Sequence, residues 1–261
     1  MTEQSPIKFS VDDGIATVLI DRPARKNALS VAAANGLTEA WEKIEGEPEI
    51  RVAILTSSDC GVFSAGLDLK EAARIAEQEG VDILSKMRDP FHDQMRAVSK
   101  PIIAAMTGSL IAGGMMLALN CDLRVGLAGT MAGITEVKIG RGSPWAAPAL
   151  WMLPQPFLME ILLTGELVPI ERFHQYGFTN YLEARPQAVR DRAGKLAQRM
   201  IAGAPLSVKA AKASVYATMD LGRAEGLKYG KRLHEEVYSS LDAIEGPKAF
   251  AEKRKPVWQG R

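Results

Sequence analysis

The sequence contains very few cysteines. Cys60 and Cys121 are the only two among 261 residues, and two cysteines cannot form the disulfide framework of a small secreted domain. No spacing of cysteine and histidine resembles a zinc site, so we expect no metal. Free thiols persist in reducing compartments, and we therefore expect a cytoplasmic protein if the source is a bacterium.

Long hydrophobic runs and an excess of charge of one sign are also missing. The longest apolar stretch, residues 110–119, is too short to span a bilayer. Residues 1–13 are polar and include three acidic side chains, unlike a secretory signal or a transit peptide. The formal net charge is +1, so we expect neither nucleic acid nor a membrane as a partner.

The composition is that of an ordinary globular protein, with 47% apolar and 24% charged residues. The first half of the chain alternates β-rich runs with helical patterns, and Leu37, Trp41 and Ile44 mark one amphipathic helix. Strands separated by helices require crossover connections, which predicts an α/β fold with a largely parallel sheet. The predicted helix covers residues 30–45, and the predicted strands cover residues 15–20, 51–56, 102–106 and 123–128.

The second half of the chain is predominantly helical. The spacing of Val189, Ala193, Leu196 and Met200 predicts a helix that Gly203 and Pro205 end. Further helices are predicted over residues 206–219, 222–240 and 246–255. We therefore divide the chain into an α/β core, residues 1–200, and a C-terminal helical region, residues 201–261.

Two glycine-containing turns are candidates for binding an oxygen atom. In residues 63–70, Gly66 permits a tight turn and Asp68 fits a helix N-cap, so the N–H of Leu67 is free to face a ligand. In residues 108–117, a buried strand leads through Gly113 and Gly114 into an apolar helix. Each segment alone favours ordinary capping or close packing. Together they can supply two N–H groups to one oxygen, as an enolate or tetrahedral oxyanion requires.

A third segment, residues 132–140, places a carboxylate in an apolar setting between glycines. Glu136 there has two interpretations. It is a desolvated general base with a raised pKa, or it is an exposed glutamate at the end of a strand.

These motifs, in this order and spacing, resemble the crotonase superfamily, the enoyl-CoA hydratase/isomerase family. The resemblance covers nearly the whole chain, and no single motif in it is specific. It is carried by residues 21–23, 27–29, 63–70, 100–105, 113–114, 120–124, 133–136, 163–166, 177–180 and 249–255.

The resemblance implies a crotonase-like spiral of ββα units, with a C-terminal helical region that forms a homotrimer or a dimer of trimers. It implies an oxyanion hole from the N–H groups of Leu67 and Gly113, with Glu136 as the acid/base. The substrate is expected to be an acyl-CoA, and no cofactor beyond that coenzyme A is implied. The remaining residues expected to contact CoA or the acyl group are Arg25, Ala65, Asp68, Lys70, Met116, Trp145 and, from a neighbouring subunit, Phe250 and Lys253.

The sequence departs from the family at a position that decides the mechanism. Typical hydratases carry a second glutamate where this chain has Met116, and a thioether cannot accept a proton. Glu136 is then the single matched carboxylate, which leaves double-bond isomerisation and single-base hydration equally open. Hydrolysis or carbon–carbon cleavage of an acyl-CoA, and acyl-CoA binding without catalysis, are the alternatives.

The acyl pocket also departs from the family pattern, within residues 141–148. Met116 and Trp145, with Met87 and Phe91, predict a wide apolar acyl pocket, although Met87 and Phe91 also fit ordinary core packing. Arg141 is a candidate partner for a polar acyl group or for Glu136. A serine hydrolase is not supported, because the chain has no Gly-x-Ser-x-Gly elbow and its histidines, His92, His174 and His234, are scattered.

Overall fold

The computed structural model describes residues 5–261; residues 1–4, the start of the polar N-terminal segment, lie outside the described part. In chain order the strands and α-helices are β1 (Ile7–Asp12), β2 (Ile15–Ile20), α1 (Val31–Gly46), β3 (Val52–Ser57), β4 (Val62–Ser64), α2 (Leu69–Glu79), α3 (His92–Ala97), β5 (Ile102–Met106), β6 (Ser109–Ile111), α4 (Gly113–Leu119), β7 (Leu123–Leu127), β8 (Met131–Gly133), α5 (Gln155–Thr164), β9 (Val168–Pro169), α6 (Ile170–Gln175), β10 (Tyr181–Glu183), α7 (Pro186–Ile201), α8 (Pro205–Ser239) and α9 (Leu241–Ala251).

The chain alternates between two sheets. The larger sheet has the order β1-β2-β3-β5-β7-β10, and the smaller has the order β4-β6-β8-β9. Strand β3 of the larger sheet is followed by β4 of the smaller and then by α2, and β5, β6 and α4 repeat this sequence. A third repeat runs through β7 and β8 into the 3₁₀ helix Glu136–Ile139. The architecture therefore agrees with the predicted spiral of ββα units.

The larger sheet is covered on both faces, which explains its sequence. Every residue of β3 is buried, as expected for a strand whose two faces both pack against other elements. On one face α7 contributes Val189, Ala193 and Leu196, which pack with Val52 and Ile54 among others. The other face belongs to the main core, which includes the largest fully buried side chains, Trp41 and Phe63 among them.

The predicted strands and the first helix are confirmed, with ends displaced by at most one residue. The terminal helix predicted over residues 246–255 is wrong at both ends, because α9 spans Leu241–Ala251. The Ser240 hydroxyl caps it by accepting from the N–H of Ala243 at 3.1 Å, and this start signal outweighs Pro247 inside the helix. The three-residue strands β4, β6, β8 and β10 are too short to show a period in the sequence.

The C-terminal region is a helical hairpin followed by α9. Helix α8 is interrupted at Gly222, whose backbone has φ 75° and ψ 170°, so the two helices predicted there are confirmed. The halves pack closely: a Cβ added to Gly226 would lie 2.4 Å from Cα of Thr218. The predicted boundary at residue 200 falls at the end of α7, while the division into two regions stays a prediction. No helix within residues 5–261 combines the length and apolar character needed to cross a bilayer.

Candidate active site

Residues from three consecutive turns of the spiral lie at one edge of the smaller sheet. Strands β4, β6 and β8 are adjacent and parallel, with Ser64 opposite Leu110 and Ile111 opposite Gly133. Because parallel strands end at the same edge, the residues that follow them lie close together. Leu67, Gly113 and Glu136 follow these three strands, and all three line a cavity of 510 Å³.

The first two turns touch each other through their main chains. A Cβ built on Gly66 would lie only 2.7 Å from the amide nitrogen of Gly113, and one built on Gly113 would lie 3.2 Å from Cα of Gly66. Gly66 also has a φ of +78°, in the region that favours glycine. No side chain fits between the turns, so glycine at residue 66 is required on two independent grounds.

Two main-chain N–H groups lie at this contact, those of Leu67 and Gly113, and both residues line the cavity. The N–H of Leu67 lies between two main-chain hydrogen bonds, Leu29 N–H to Gly66 O at 2.7 Å and Asp68 N–H to Leu29 O at 3.0 Å. Gly113 is the first residue of α4, where an N–H has no partner within the helix. Within residues 5–261 neither N–H donates a hydrogen bond to a protein acceptor.

The backbone that precedes Gly113 is held in an unfavourable conformation. Ala112 has φ 52° and ψ −116°, a combination that costs a residue with a side chain about 1–3 kcal/mol. Its N–H donates to Gly133 O at 3.0 Å and its carbonyl accepts from the N–H of Met115 at 2.8 Å. Ala112 therefore ties the second turn to β8, and so to the strand that precedes Glu136.

The opposite end of α4 is held by a buried cation. Arg124 donates through Nη1 to the carbonyls of Ala118, at 3.1 Å, and Cys121, at 2.6 Å, and its guanidinium lies 4.6 Å from the centre of the Phe178 ring. Burial lowers the pKa of Arg124, while a cation at a helix C-terminus is favourable. The sequence indicated Arg124 only as part of a motif, because its acceptors at the helix end, three and six residues before it, are main-chain carbonyls that no residue type marks.

Glu136 lies in the apolar setting that the sequence predicted. It is 9% exposed at the start of the 3₁₀ helix Glu136–Ile139, so the alternative of an exposed glutamate is wrong. Its Oε2 is buried and has no hydrogen-bond partner within residues 5–261. Burial raises the pKa of Glu136 above its ordinary value, although the N–H groups of Glu136 and Thr135, and Trp145 and Arg141, act in the opposite direction. The folded chain therefore favours the neutral form of this carboxyl group more than water does.

The rest of the wall is largely apolar. The cavity includes the predicted Ala65, Met116, Trp145, Met87 and Phe91. Residues that the sequence did not single out also line it; they are Leu29, Leu69, Leu84, Asp89, Pro90, Ile111, Ala112, Thr135, Lys138, Ile139 and Gly142. The Nε2 atom of His92 lies 3.0 Å from the carbonyl oxygen of Trp145, which connects two sides of the cavity.

Three residues predicted to contact CoA do not line the cavity. The carboxylate of Asp68 caps α2 by accepting from the N–H of Glu71 at 3.3 Å and pairs with Arg22 at 3.0 Å, so it has a structural role. Arg25 and Lys70 are exposed. Arg25 is close enough to Asp68 to help lower the pKa of that carboxyl.

The predicted residues near the C-terminus also do not line the cavity of their own chain. Phe250 in α9 is 86% exposed, and Lys253 follows the helix with a φ of 52°. Their predicted contact with the CoA of a neighbouring subunit stays a prediction. Arg254, next to Lys253, pairs with Glu245 and Glu252 of its own chain.

Arg141 pairs with a residue that the sequence did not suggest. Its Nη2 lies 3.0 Å and 2.9 Å from the two carboxylate oxygens of Asp82, so the suggested pairing with Glu136 is wrong. The main-chain N–H of Arg141 does contact Glu136, donating to its carbonyl oxygen at 3.0 Å. Asp82 is 59 residues away in sequence, which is why no local pattern reveals the pair.

The site shows no arrangement typical of a metal centre. Within residues 5–261, no three histidine, cysteine, aspartate or glutamate side chains lie close enough together to ligate a metal ion.

Comparison with known proteins identifies relatives over almost the full length. A family model described as enoyl-CoA hydratase/isomerase matches residues 10–261. The (E)-benzylidenesuccinyl-CoA hydratase of Thauera aromatica is 34% identical over 98% of this chain and 99% of its own. The carnitinyl-CoA dehydratase of Citrobacter koseri is 34% identical over 98% of each chain.

Solved structures show the same similarity. The enoyl-CoA hydratase of Mycobacterium tuberculosis has a TM-score of 0.87 and 34% identity, and covers 99% of this chain and 100% of its own. The enoyl-CoA hydratase of Bacillus anthracis has a TM-score of 0.92 and 26% identity, with coverage of 98% and 100%.

The contact between the turns predicts a large effect of a single methyl group. We expect Gly66→Ala to lower the free energy of unfolding by about 3 kcal/mol, of which a positive φ accounts for only about 1–2 kcal/mol. Gly129→Ala is the matched control, because Gly129 has a φ of +76° but open space around its Cβ position. Urea unfolding of the two variants measures the difference, and equal losses would show that the contact with Gly113 is unimportant.

The raised pKa of Glu136 predicts a dependence of stability on pH. Above the ordinary value of 4.5, the unfolded chain releases this proton while the folded chain keeps it. The contribution of Glu136 to stability is therefore greatest below that value and is lost as pH rises through the folded-state pKa. Urea unfolding from about pH 4 to about pH 8 should show wild type losing stability relative to Glu136→Gln. A difference that stays constant with pH contradicts the raised pKa.

Proposed function

Because the chain belongs to the enoyl-CoA hydratase/isomerase family of the crotonase superfamily, we propose that it catalyses proton transfer next to the thioester carbonyl of an enoyl-CoA. The observation that carries this proposal is the main-chain contact between Gly66 and Gly113, beside the buried carboxyl group of Glu136. The substrate supplies its own coenzyme A, and the proposed reaction needs no other cofactor.

The N–H groups of Leu67 and Gly113 form the proposed oxyanion hole. A thioester oxygen placed between them accepts two hydrogen bonds, which strengthen as negative charge develops on that oxygen in the enolate. Both groups are fixed in advance, Leu67 by the bonds on either side of it and Gly113 by α4 and Ala112. Loss of one such donor typically slows catalysis by about 10²–10³-fold.

Glu136 is the proposed acid/base. An ionised Glu136 accepts a proton, and the resulting neutral form is favoured by burial, so the proton can be returned to a second carbon or to the product. Asp89 also lines the cavity, but it is exposed and accepts a hydrogen bond from the N–H of Phe91 at 2.8 Å. We therefore assign the proton transfer to Glu136 alone.

Two reactions are compatible with a single carboxylate, and each is favoured by one observation. Relatives at 34% identity are a hydratase and a dehydratase, which favours addition or removal of water. Met116 lines the cavity at the position where typical hydratases of the family carry a second glutamate, and this favours double-bond isomerisation. Hydration is the first candidate and isomerisation the second; hydrolysis and carbon–carbon cleavage remain alternatives within the family.

The exposed C-terminal helices favour assembly into a homotrimer or a dimer of trimers. Val215 and Leu227 in α8, and Ile244 and Phe250 in α9, are 59–86% exposed. A soluble protein rarely leaves so many large apolar side chains in water. In the proposed assembly, Phe250 and Lys253 of one subunit contact the CoA bound to its neighbour.

Isotope exchange tests whether Glu136 is a catalytic base. In D₂O, wild type should introduce deuterium at the α-carbon of a saturated acyl-CoA, and Glu136→Gln should slow this by at least about 10²-fold, because the amide cannot accept the proton. Glu183→Gln is a matched control, since Glu183 pairs with Arg192 and does not line the cavity. Binding of the thioester without exchange in wild type would identify a non-catalytic acyl-CoA-binding protein.

Product analysis separates the two reactions. We expect incubation with matched 2-enoyl-CoA and 3-enoyl-CoA thioesters, followed by mass spectrometry, to show a gain of one water from the 2-enoyl substrate. A shifted double bond without a change in mass instead supports isomerisation.

A variant at residue 116 provides the internal comparison. Met116→Glu adds the carboxylate that positions water in typical family hydratases, so it should raise the ratio of hydrated to isomerised product. An unchanged ratio would show that Met116 does not decide the reaction.

A further inference from the structure

The cavity contains a cation that the proposed proton transfer does not use. Two cationic residues are among those that line it, Lys138 and Arg141. The stem of Lys138 passes Gly165 and its Nζ pairs with Glu166 at 2.7 Å, and neither partner lines the cavity. Arg141 likewise pairs with a residue that does not line the cavity, Asp82. The two cations differ in their donors: the Lys138 ammonium is a single nitrogen already paired with Glu166, whereas the Arg141 guanidinium carries two further nitrogens.

Most hydrogen-bonding capacity of Arg141 is unused. Only Nη2 contacts Asp82, and it serves both carboxylate oxygens. The side chains of Arg141 and Asp82 are 30% and 51% exposed, and ion pairs this accessible to water contribute little to stability. Asp82 has a second role, because it accepts from the N–H of Leu84 at 2.8 Å and caps a 3₁₀ helix. The N–H groups on Nε and Nη1 of Arg141 have no acceptor within residues 5–261.

Arg141 is also close to the reacting part of the site. Its main-chain N–H donates to the carbonyl of Glu136, and the turn closes through Gly140, which has a φ of +67°. The guanidinium also helps to lower the pKa of Glu136, against the larger effect of burial, which raises it. Arg141 lines the same cavity as Leu67, Gly113 and Glu136, among side chains that are mostly apolar.

We propose that Arg141 binds a carboxylate at the far end of the acyl group, so that the preferred substrates are CoA thioesters of dicarboxylic acids. This proposal rests on the proposed function of the cavity. A carboxylate among apolar side chains is costly unless charged donors replace its water, and a guanidinium with free N–H groups supplies them. Asp82 and Asp89 oppose an anion, so the substrate carboxylate must approach the edge of Arg141 that Asp82 leaves free.

Matched saturated thioesters test the proposal by binding, without turnover. Glutaryl-CoA and pentanoyl-CoA have equally long acyl chains and differ only in a terminal carboxylate or methyl group, and adipyl-CoA with hexanoyl-CoA extends the comparison by one methylene. In calorimetric titrations of wild type, at least one dicarboxylic thioester should bind about tenfold more tightly than its partner. Arg141→Gln should abolish that preference while changing the affinity for the methyl-ended thioester less than about twofold.

A second arginine controls for net charge. Arg88 is next in sequence to Met87, which lines the cavity, but Arg88 itself does not line it. Arg88 pairs with Glu42 on the surface. Arg88→Gln removes the same charge and should preserve the preference for the dicarboxylic thioester. Arg141→Lys keeps the charge but loses the planar set of donors, and should recover only part of the preference.

The outcomes separate this proposal from the proposed function. Equal or weaker binding of both dicarboxylic thioesters by wild type, or equal weakening of both members of a pair by Arg141→Gln, overturns the role of Arg141. The proposed function then still stands if pentanoyl-CoA binds and exchanges its α-protons in D₂O. Failure of all four thioesters to bind overturns both proposals.

Discussion

The site depends on a direct contact between two segments of main chain, with no side chain inserted between them. Gly66 and Gly113 follow neighbouring parallel strands, and the absence of Cβ atoms lets their turns approach until backbone atoms touch. Leu67 and Gly113, whose N–H groups form the proposed oxyanion hole, line one cavity. Both donors are backbone atoms, so their positions follow from the spiral itself and do not require a side chain to select a rotamer. In the proposed function, the fold therefore determines where negative charge is stabilised before any substrate binds.

The same arrangement explains why a buried carboxyl group without a partner is tolerated. Oε2 of Glu136 has no hydrogen-bond donor in the part of the chain that the structure describes, and burial disfavours an ionised carboxylate there. This penalty raises the pKa of Glu136, so the group is more readily neutral than in water. Ala112 likewise holds a strained backbone conformation in the neighbouring turn. Unfavourable local features thus gather where three strands end and are offset by the surrounding core.

The sequence predicts the fold well because the longer elements carry clear periodic signals and the motifs recur in a characteristic order. It also identifies the three turns, since glycine pairs and an isolated glutamate are visible locally. It does not reveal Asp82 as the partner of Arg141, because the two residues are 59 positions apart in the chain. It does not reveal Arg124 as the cation at the end of α4 either, because the acceptors are main-chain carbonyls, which no residue type marks. The prediction for the start of α9 is wrong for a local reason. Pro247 is a strong signal for a helix start, whereas Ser240, the actual N-cap, is a weak one in the sequence.

The residues proposed to act on the thioester and the residues of the acyl wall belong to different kinds of segment. This difference affects how readily the substrate preference of such a site can change. Leu67, Gly113 and Glu136 each follow a strand of the smaller sheet by two or three residues, so the paired strands β4, β6 and β8 set their positions. Arg141, Trp145 and Met87 belong to connecting segments whose backbone is not part of either sheet. Such segments accept substitution more readily than strands do. In the proposed function, the architecture therefore sets the groups that act on the thioester, while the charge and shape of the acyl wall depend on connecting segments. In this chain one such segment supplies Arg141, whose Nε and Nη1 groups have no acceptor within residues 5–261.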